Sequence, residues 1–112
     1  VDEAGLGAFL ARVDARFSLE RALLFGSRAR GDELRESDYD VVLVSAAFEG
    51  TRFTERLAAV RDFWALPERL EVLCYTPAEF ERKRHEIGIV SEAVREGRDL
   101  ALPPSTRAAR SG

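Results

Sequence analysis

Two aspartates and a Gly-Ser pair mark the part of this chain whose residue types could do chemistry, Leu24 to Val44, which reads LFGSRARGDELRESDYDVVLV. Asp38 and Asp40 stand two residues apart at the entrance to the apolar run Val41 to Val44. On a strand, positions i and i+2 share a face with Cα atoms about 6.6–6.8 Å apart, so both carboxylates can converge on one hard cation. Two anions held side by side are costly unless a positive charge lies between them, and a metal is the usual remedy. A solvated Asp-Tyr-Asp turn before the strand is the competing reading. Gly26 and Ser27 end an earlier apolar run, where a small residue, free backbone N–H groups and a hydroxyl would suit a phosphate. An ordinary turn fits the same pair, and the Gly and Lys spacing of a P-loop is absent. Glu71 opens a third apolar run. It is either a surface glutamate or a third acid of the same cluster, and the latter requires the second and third strands to be neighbours. Arg28 and Arg30 could clamp phosphate oxygens with paired hydrogen bonds, although a chain so rich in Arg offers many arginines with no such task.

The flanking sequence must supply the elements that position these residues. Leu6, Phe9, Leu10, Val13 and Phe17 recur at helical spacing, which predicts a helix from about Asp2 to Phe17 with Asp2 as its cap. Ala22 to Phe25, closed by Gly26, reads as a short strand buried on both faces, and Val41 to Val44 as a second. Phe53, Leu57, Val60 and Trp64 form the apolar stripe of a helix between Thr51 and Leu66, with Trp64 in the core. Leu70 to Tyr75 reads as a third strand. Thr76-Pro77-Ala78-Glu79 combines a capping box with proline at the first helical position. The helix it starts is expected to run through Ile87, Val90 and Val94, bent at Gly88, and to stop at Gly97. His85 falls among charged residues of that helix and is expected at the surface; Asp32, Glu33 and Glu36 are expected to face solvent. Pro103-Pro104 and the Ser, Arg, Ala and Gly residues after them have no periodicity, so residues 1–97 form the expected domain and 98–112 a poorly ordered tail. The order α-β-β-α-β-α implies an α/β (α+β) fold, a small mixed sheet with packed helices.

Composition narrows the classes further. A chain of 112 residues with 46% apolar content favours one domain with a real core. Its charged residues make up 33%, yet the net charge is only −3, which points neither to a basic nucleic-acid binder nor to an acidic tail protein. No apolar run approaches the roughly 18–20 residues of a membrane span, and the basic-then-apolar layout of a signal peptide is absent, so a soluble, cytoplasmic protein is expected. Cys74, the single cysteine, lacks the neighbours of a zinc site and is expected to be a buried hydrophobe. Lys83 is the only lysine, and Asn, Gln and Met are missing, as in a heat-adapted or GC-rich source.

Gly26-Ser27-Arg28-Ala29-Arg30-Gly31 followed by Ser37-Asp38-Tyr39-Asp40 resembles the signature of nucleotidyltransferases of the DNA polymerase beta superfamily, in particular its minimal members. The resemblance takes in the third strand and the Tyr75-Thr76-Pro77 helix start, and so covers residues 20–97. It implies the polymerase beta-like fold and transfer of a nucleoside monophosphate, with AMP the leading choice, from an NTP to a hydroxyl, releasing pyrophosphate. Asp38 and Asp40 match the paired metal-binding aspartates, which hold Mg²⁺ (or Mn²⁺) against the triphosphate. Gly26 and Ser27 match the loop that holds the β- and γ-phosphates, and Arg28 and Arg30 join them as nucleotide-binding candidates. Glu71 falls where the family usually has a third carboxylate, normally Asp, that assists the metal and the attacking hydroxyl. Similar small proteins often act as antitoxins beside a helical HEPN-type toxin, which some of them adenylylate, so such a protein is the implied partner. A catalytically weak module that binds nucleotide and docks this partner is the alternative.

Overall fold

The computed structural model describes residues 1–31 and 38–103, with the side chains of Ser27 and Arg30 left aside. Its elements are α1 (Glu3–Phe17), β1 (Arg21–Phe25), α2 (Ser27–Arg30), β2 (Tyr39–Val44), a 3₁₀ turn at Ala46–Phe48, α3 (Phe53–Arg61), β3 (Leu70–Tyr75), α4 (Pro77–Lys83), α5 (Ile89–Glu96) and β4 (Arg98–Asp99). The strands form one mixed sheet in the order β3-β2-β1-β4. β1 runs antiparallel to β2 and β4, whereas β2 and β3 are parallel. A parallel pair needs a long crossover, and α3 supplies it. The small mixed α/β domain expected from the sequence is the observed one, with the second and third strands adjacent.

Alternation along the strands divides the core in two. Ala22, Leu24, Tyr39, Val41, Leu43, Val72 and Cys74 point to the face covered by α1 and by Val60 of α3. Leu23, Val42 and Val44 point to the other, where Phe80 of α4 and Val90 and Ala93 of α5 meet them. The side chain of Asp2 accepts a hydrogen bond from the Gly5 N–H and caps α1 as expected. Trp64 is half-buried at the rim of the first core, edge-on to Phe9 with ring centroids 4.9 Å apart.

Two helical expectations change, and so does the expected boundary at Gly97. α3 is shorter than the stripe implied, and its first apolar residue, Phe53, is exposed, while Arg56 is buried on the same helix. Arg56 has a physical reason to be there: it donates to the carbonyls of Thr51 and Cys74 and to the Glu79 carboxylate, at 2.6 Å in the shortest contact. The same Glu79 oxygen accepts the Thr76 N–H in the predicted capping box, so one guanidinium ties α3, the end of β3 and the start of α4. The long helix after Pro77 is two helices, because α4 ends at Lys83 and α5 restarts after Gly88 to lie across the sheet. Ile87 is left outside as a fully exposed side chain. Packed structure also passes Gly97. Gly97 sits so close to the carbonyls of Ala93 and Leu24 that a side chain there would collide with backbone. β4 then pairs with β1, Arg21 bridges Asp99 at 2.8 Å, and Leu100 is buried. The acids Asp32, Glu33 and Glu36 and residues 104–112 of the expected tail lie outside the described residues. His85 is exposed, as expected, and pairs with Glu81 at 3.0 Å. Among the described residues no helix is long and apolar enough to cross a membrane.

Two outcomes are expected. The Arg56 guanidinium holds the Glu79 carboxyl below its ordinary value near 4.5. The stability this adds is therefore complete above that value and is lost as pH falls through the lower folded one. Glu79 is 32% exposed, so Arg56→Met should cost about 2 kcal/mol, less than a fully buried broken pair, and should flatten the acid limb of stability against pH in urea titrations. Burial pushes the Cys74 thiol up to about 12, so it should react with a thiol reagent at pH 8 only at the rate of unfolding.

Candidate functional site

The site is assembled where β1 ends and β2 and β3 begin. β1 finishes at Phe25, which pairs with Asp40 across the antiparallel ladder. Gly26 then turns the chain with φ +75°, a left-handed conformation that glycine adopts without strain. A side chain at Gly26 would also run into the Asp40 carboxylate, so the turn and the acid are in direct contact. Ser27 opens the single turn of α2, which the Gly26 carbonyl joins by accepting the Ala29 N–H at 3.2 Å.

On the other side of β2, Asp40 is the register partner of Glu71 in the parallel pair. Neighbouring strands lie about 4.8 Å apart, so two carboxylates leave adjacent strands at one level and on one face. They line an open cleft of about 280 Å³ together with Phe25, Val72, Leu73 and Ile89. Asp38 is half-buried one residue before β2, and alternation carried one step back places it on the Asp40 face. The structure thus brings Gly26, Asp40 and Glu71 together, with Asp38 two residues before Asp40 in the chain.

Glu71 also pairs with Arg69 at 3.0 Å, with side chains 45% and 76% exposed. An ion pair this exposed is worth about 0–1 kcal/mol, too little to keep Glu71 from turning into the cleft. The donors are carboxylate oxygens, the chemistry that a hard cation such as Mg²⁺ takes. Among the described residues no three Asp, Glu, His or Cys side chains converge closely enough to hold an ion by themselves. The residues fit a cation that is completed by oxygens from a second ligand.

Arg28 goes elsewhere. Its side chain is buried at 7% exposure, with the guanidinium over the ring of Tyr39 at 4.0 Å from the centroid. Tyr39 points to the α1 face of the sheet, so the Arg28 guanidinium packs against the face opposite Asp40. Arg30 continues α2, and its side chain is not described. Tyr39 is the residue that sequence reasoning passed over, although its place between two aspartates and the period of a strand already aim it into the core. Ile89 had no such signal, because only the packing of α5 across the sheet brings it to the cleft. Past Leu73 and Ile89 the cleft continues into a second depression that reaches Ile87 and Tyr75. Burial, with Glu79 adding to it, raises the Tyr75 phenol, which keeps that hydroxyl protonated.

A sequence model of the nucleotidyltransferase domain family matches residues 6–95. No curated protein matches the chain in sequence. Among solved structures, a protein of Sulfolobus solfataricus assigned as a nucleotidyltransferase is similar at 27% identity, with 71% of each chain covered and a TM-score of 0.58. The structure of a toxin-antitoxin with AMP-PNP is similar in fold, with 17% identity, a TM-score of 0.51 and coverage of 97% of this chain and 80% of that one.

The contact between Gly26 and Asp40 is open to test. Gly26→Ala should lower stability by about 1–3 kcal/mol, from a positive φ and a displaced carboxylate, whereas the same change at Gly7, where nothing lies within 4 Å, should be neutral or stabilising in chemical denaturation.

Proposed function

The chain belongs to the nucleotidyltransferase domain family, and from that premise we propose that it transfers a nucleoside monophosphate, AMP from ATP, to a hydroxyl on a protein partner and releases pyrophosphate. The observation that carries this reading is the register of Asp40 with Glu71 on one face beside the Gly26 turn. The hydroxyl oxygen forms a bond to the α-phosphorus as the bridging bond to the β-phosphate breaks, and pyrophosphate takes the bonding electrons.

Each group of this chain has a share in that displacement. The Gly26-Ser27 turn is proposed to hold the β- and γ-phosphates, with Arg30 near enough in sequence to add charge. Asp38 and Asp40 would hold Mg²⁺ (or Mn²⁺), and Glu71 would take the hydroxyl proton and help to orient the acceptor. When bound, the ion supplies charge stabilisation at the phosphoryl oxygens and leaving group. Positioning then accounts for most of the rate, since phosphoryl transfer needs little covalent help from protein. Glu71 is one methylene longer than the usual Asp and lines the cleft beside Asp40.

A protein acceptor is supported by the apolar side chains that stand exposed beside the cleft. The elements between β1 and α5 are used in building the cleft, while Ile87 and Ile89 stand exposed along its extension. A helical HEPN-type toxin in the cytoplasm is the proposed partner. Those same exposed side chains and the Arg69–Glu71 pair favour a second reading, a docking module with weak or no catalysis.

Transfer separates the two. Purified protein incubated with labelled ATP, Mg²⁺ and a HEPN-type helical protein from the same source should label that protein. Asp40→Ala should remove the label by at least about a hundredfold, as expected when a group that acts on developing charge is lost, while the thermal melt stays cooperative. Glu71→Gln should reduce transfer more than nucleotide binding, and Glu71→Asp should retain part of it. Partner binding without label, unchanged by Asp40→Ala, would favour docking alone.

A further inference from the structure

Among the described residues only Arg28 and Arg56 are both charged and buried. Arg56 has its carboxylate and two carbonyls. Arg28 stacks on an aromatic face, 4.0 Å from the centroid of Tyr39, a contact in which a weakly hydrated planar cation does better than an ammonium would.

Tyr39 is held from several sides. It is 1% exposed, lies edge-on to Trp64 with centroids 5.4 Å apart, and its hydroxyl accepts the Asp2 N–H at 2.9 Å. It is the first residue of β2 and stands between Asp38 and Asp40. α2, by contrast, is four residues long. A helix of one turn cannot hold itself in place, so its position must come from what its side chains grip. Ala29 offers the first core a methyl group; Arg28 offers a whole side chain.

We propose that Arg28 and Tyr39 form a clamp that fixes the Gly26–Gly31 turn against the strand carrying Asp38 and Asp40, so that the phosphate-holding and carboxylate halves of the site share one geometry. Both are positioning residues, and the proposal rests on the nucleotidyltransferase reading for what that geometry serves. The clamp lies on the face opposite Asp40. Its value lies in the steep dependence of transfer on placement, where about 1 Å of error costs about a hundredfold.

A double-mutant cycle in the full chain tests it, with the dissociation constant of AMP-PNP in the presence of Mg²⁺ as readout. Arg28→Met and Tyr39→Leu should each weaken binding about tenfold, equivalent to about 1.4 kcal/mol, and the double variant should lose no more than either alone. Tyr39→Phe keeps the ring and should restore affinity to within about twofold. A loss in Arg28→Met with none in Tyr39→Leu would mean that Arg28 touches phosphate directly and would overturn the clamp, as would losses that multiply. Tyr39→Leu empties part of a core and can fail to fold. Amide hydrogen exchange without nucleotide therefore gives a second arm: Arg28→Met should speed exchange at Gly26–Gly31 at least about fivefold while Val41–Leu43 stay protected, and unchanged exchange refutes the clamp. Wild-type protein that binds no AMP-PNP would defeat the functional reading, and the exchange arm would still decide the clamp.

Discussion

Side chains on β2 alternate, and that alternation divides the work of the molecule. Tyr39, Val41 and Leu43 go into the core beneath α1, while Asp40, Val42 and Val44 go to the face covered in part by α5. A slip of one residue would bury a carboxylate where Tyr39 now sits and expose the ring. Burying an unpaired carboxylate costs far more than any surface interaction here returns, so the core that fixes the register also fixes which face carries the acids. Stability and site are two outcomes of one pairing.

The face with the acids is left partly uncovered. α5 crosses it at Val90 and Ala93, and α4 reaches it with Phe80, but Asp40 and Glu71 stay at the open end of the sheet, where β1 ends and β2 and β3 begin. Ligand sites in sheet proteins gather at strand ends for this reason: the backbone groups and side chains there have no further ladder to join. The break between α4 and α5 turns α5 across the sheet and brings Ile89 to the cleft wall.

Polar anchoring supplies what the small core does not. Arg56 joins three elements through main-chain carbonyls and Glu79, and the Asp2 N–H meets Tyr39, so the start of α1 is attached to the strand that carries the aspartates. Both contacts use residues from distant parts of the chain. Neither could be read from periodicity, since Arg56 looks like any helical arginine, and its neighbours Phe53 and Leu57 carry the stripe that a helix is expected to bury. Phe53 is exposed and Arg56 buried because the end of β3 presents a carbonyl that needs a donor.

By itself the sequence determined the first three strands, the sheet class, the capped starts of α1 and α4, the burial of Cys74 and the pairing of a Gly-Ser turn with an Asp-x-Asp strand. These follow from local periodicity and from residue types with few conformational alternatives. The tertiary structure alone decided that β2 and β3 are parallel and in register, which sets Asp40 beside Glu71, and that Arg28 lies on Tyr39 and not on the acidic face. It also decided where helices end and that β4 closes the sheet beyond Gly97. Such outcomes depend on contacts between residues far apart in the chain, and residue type cannot choose among them: a guanidinium suits a phosphate, a carboxylate or an aromatic ring equally well until the fold brings one of them within reach.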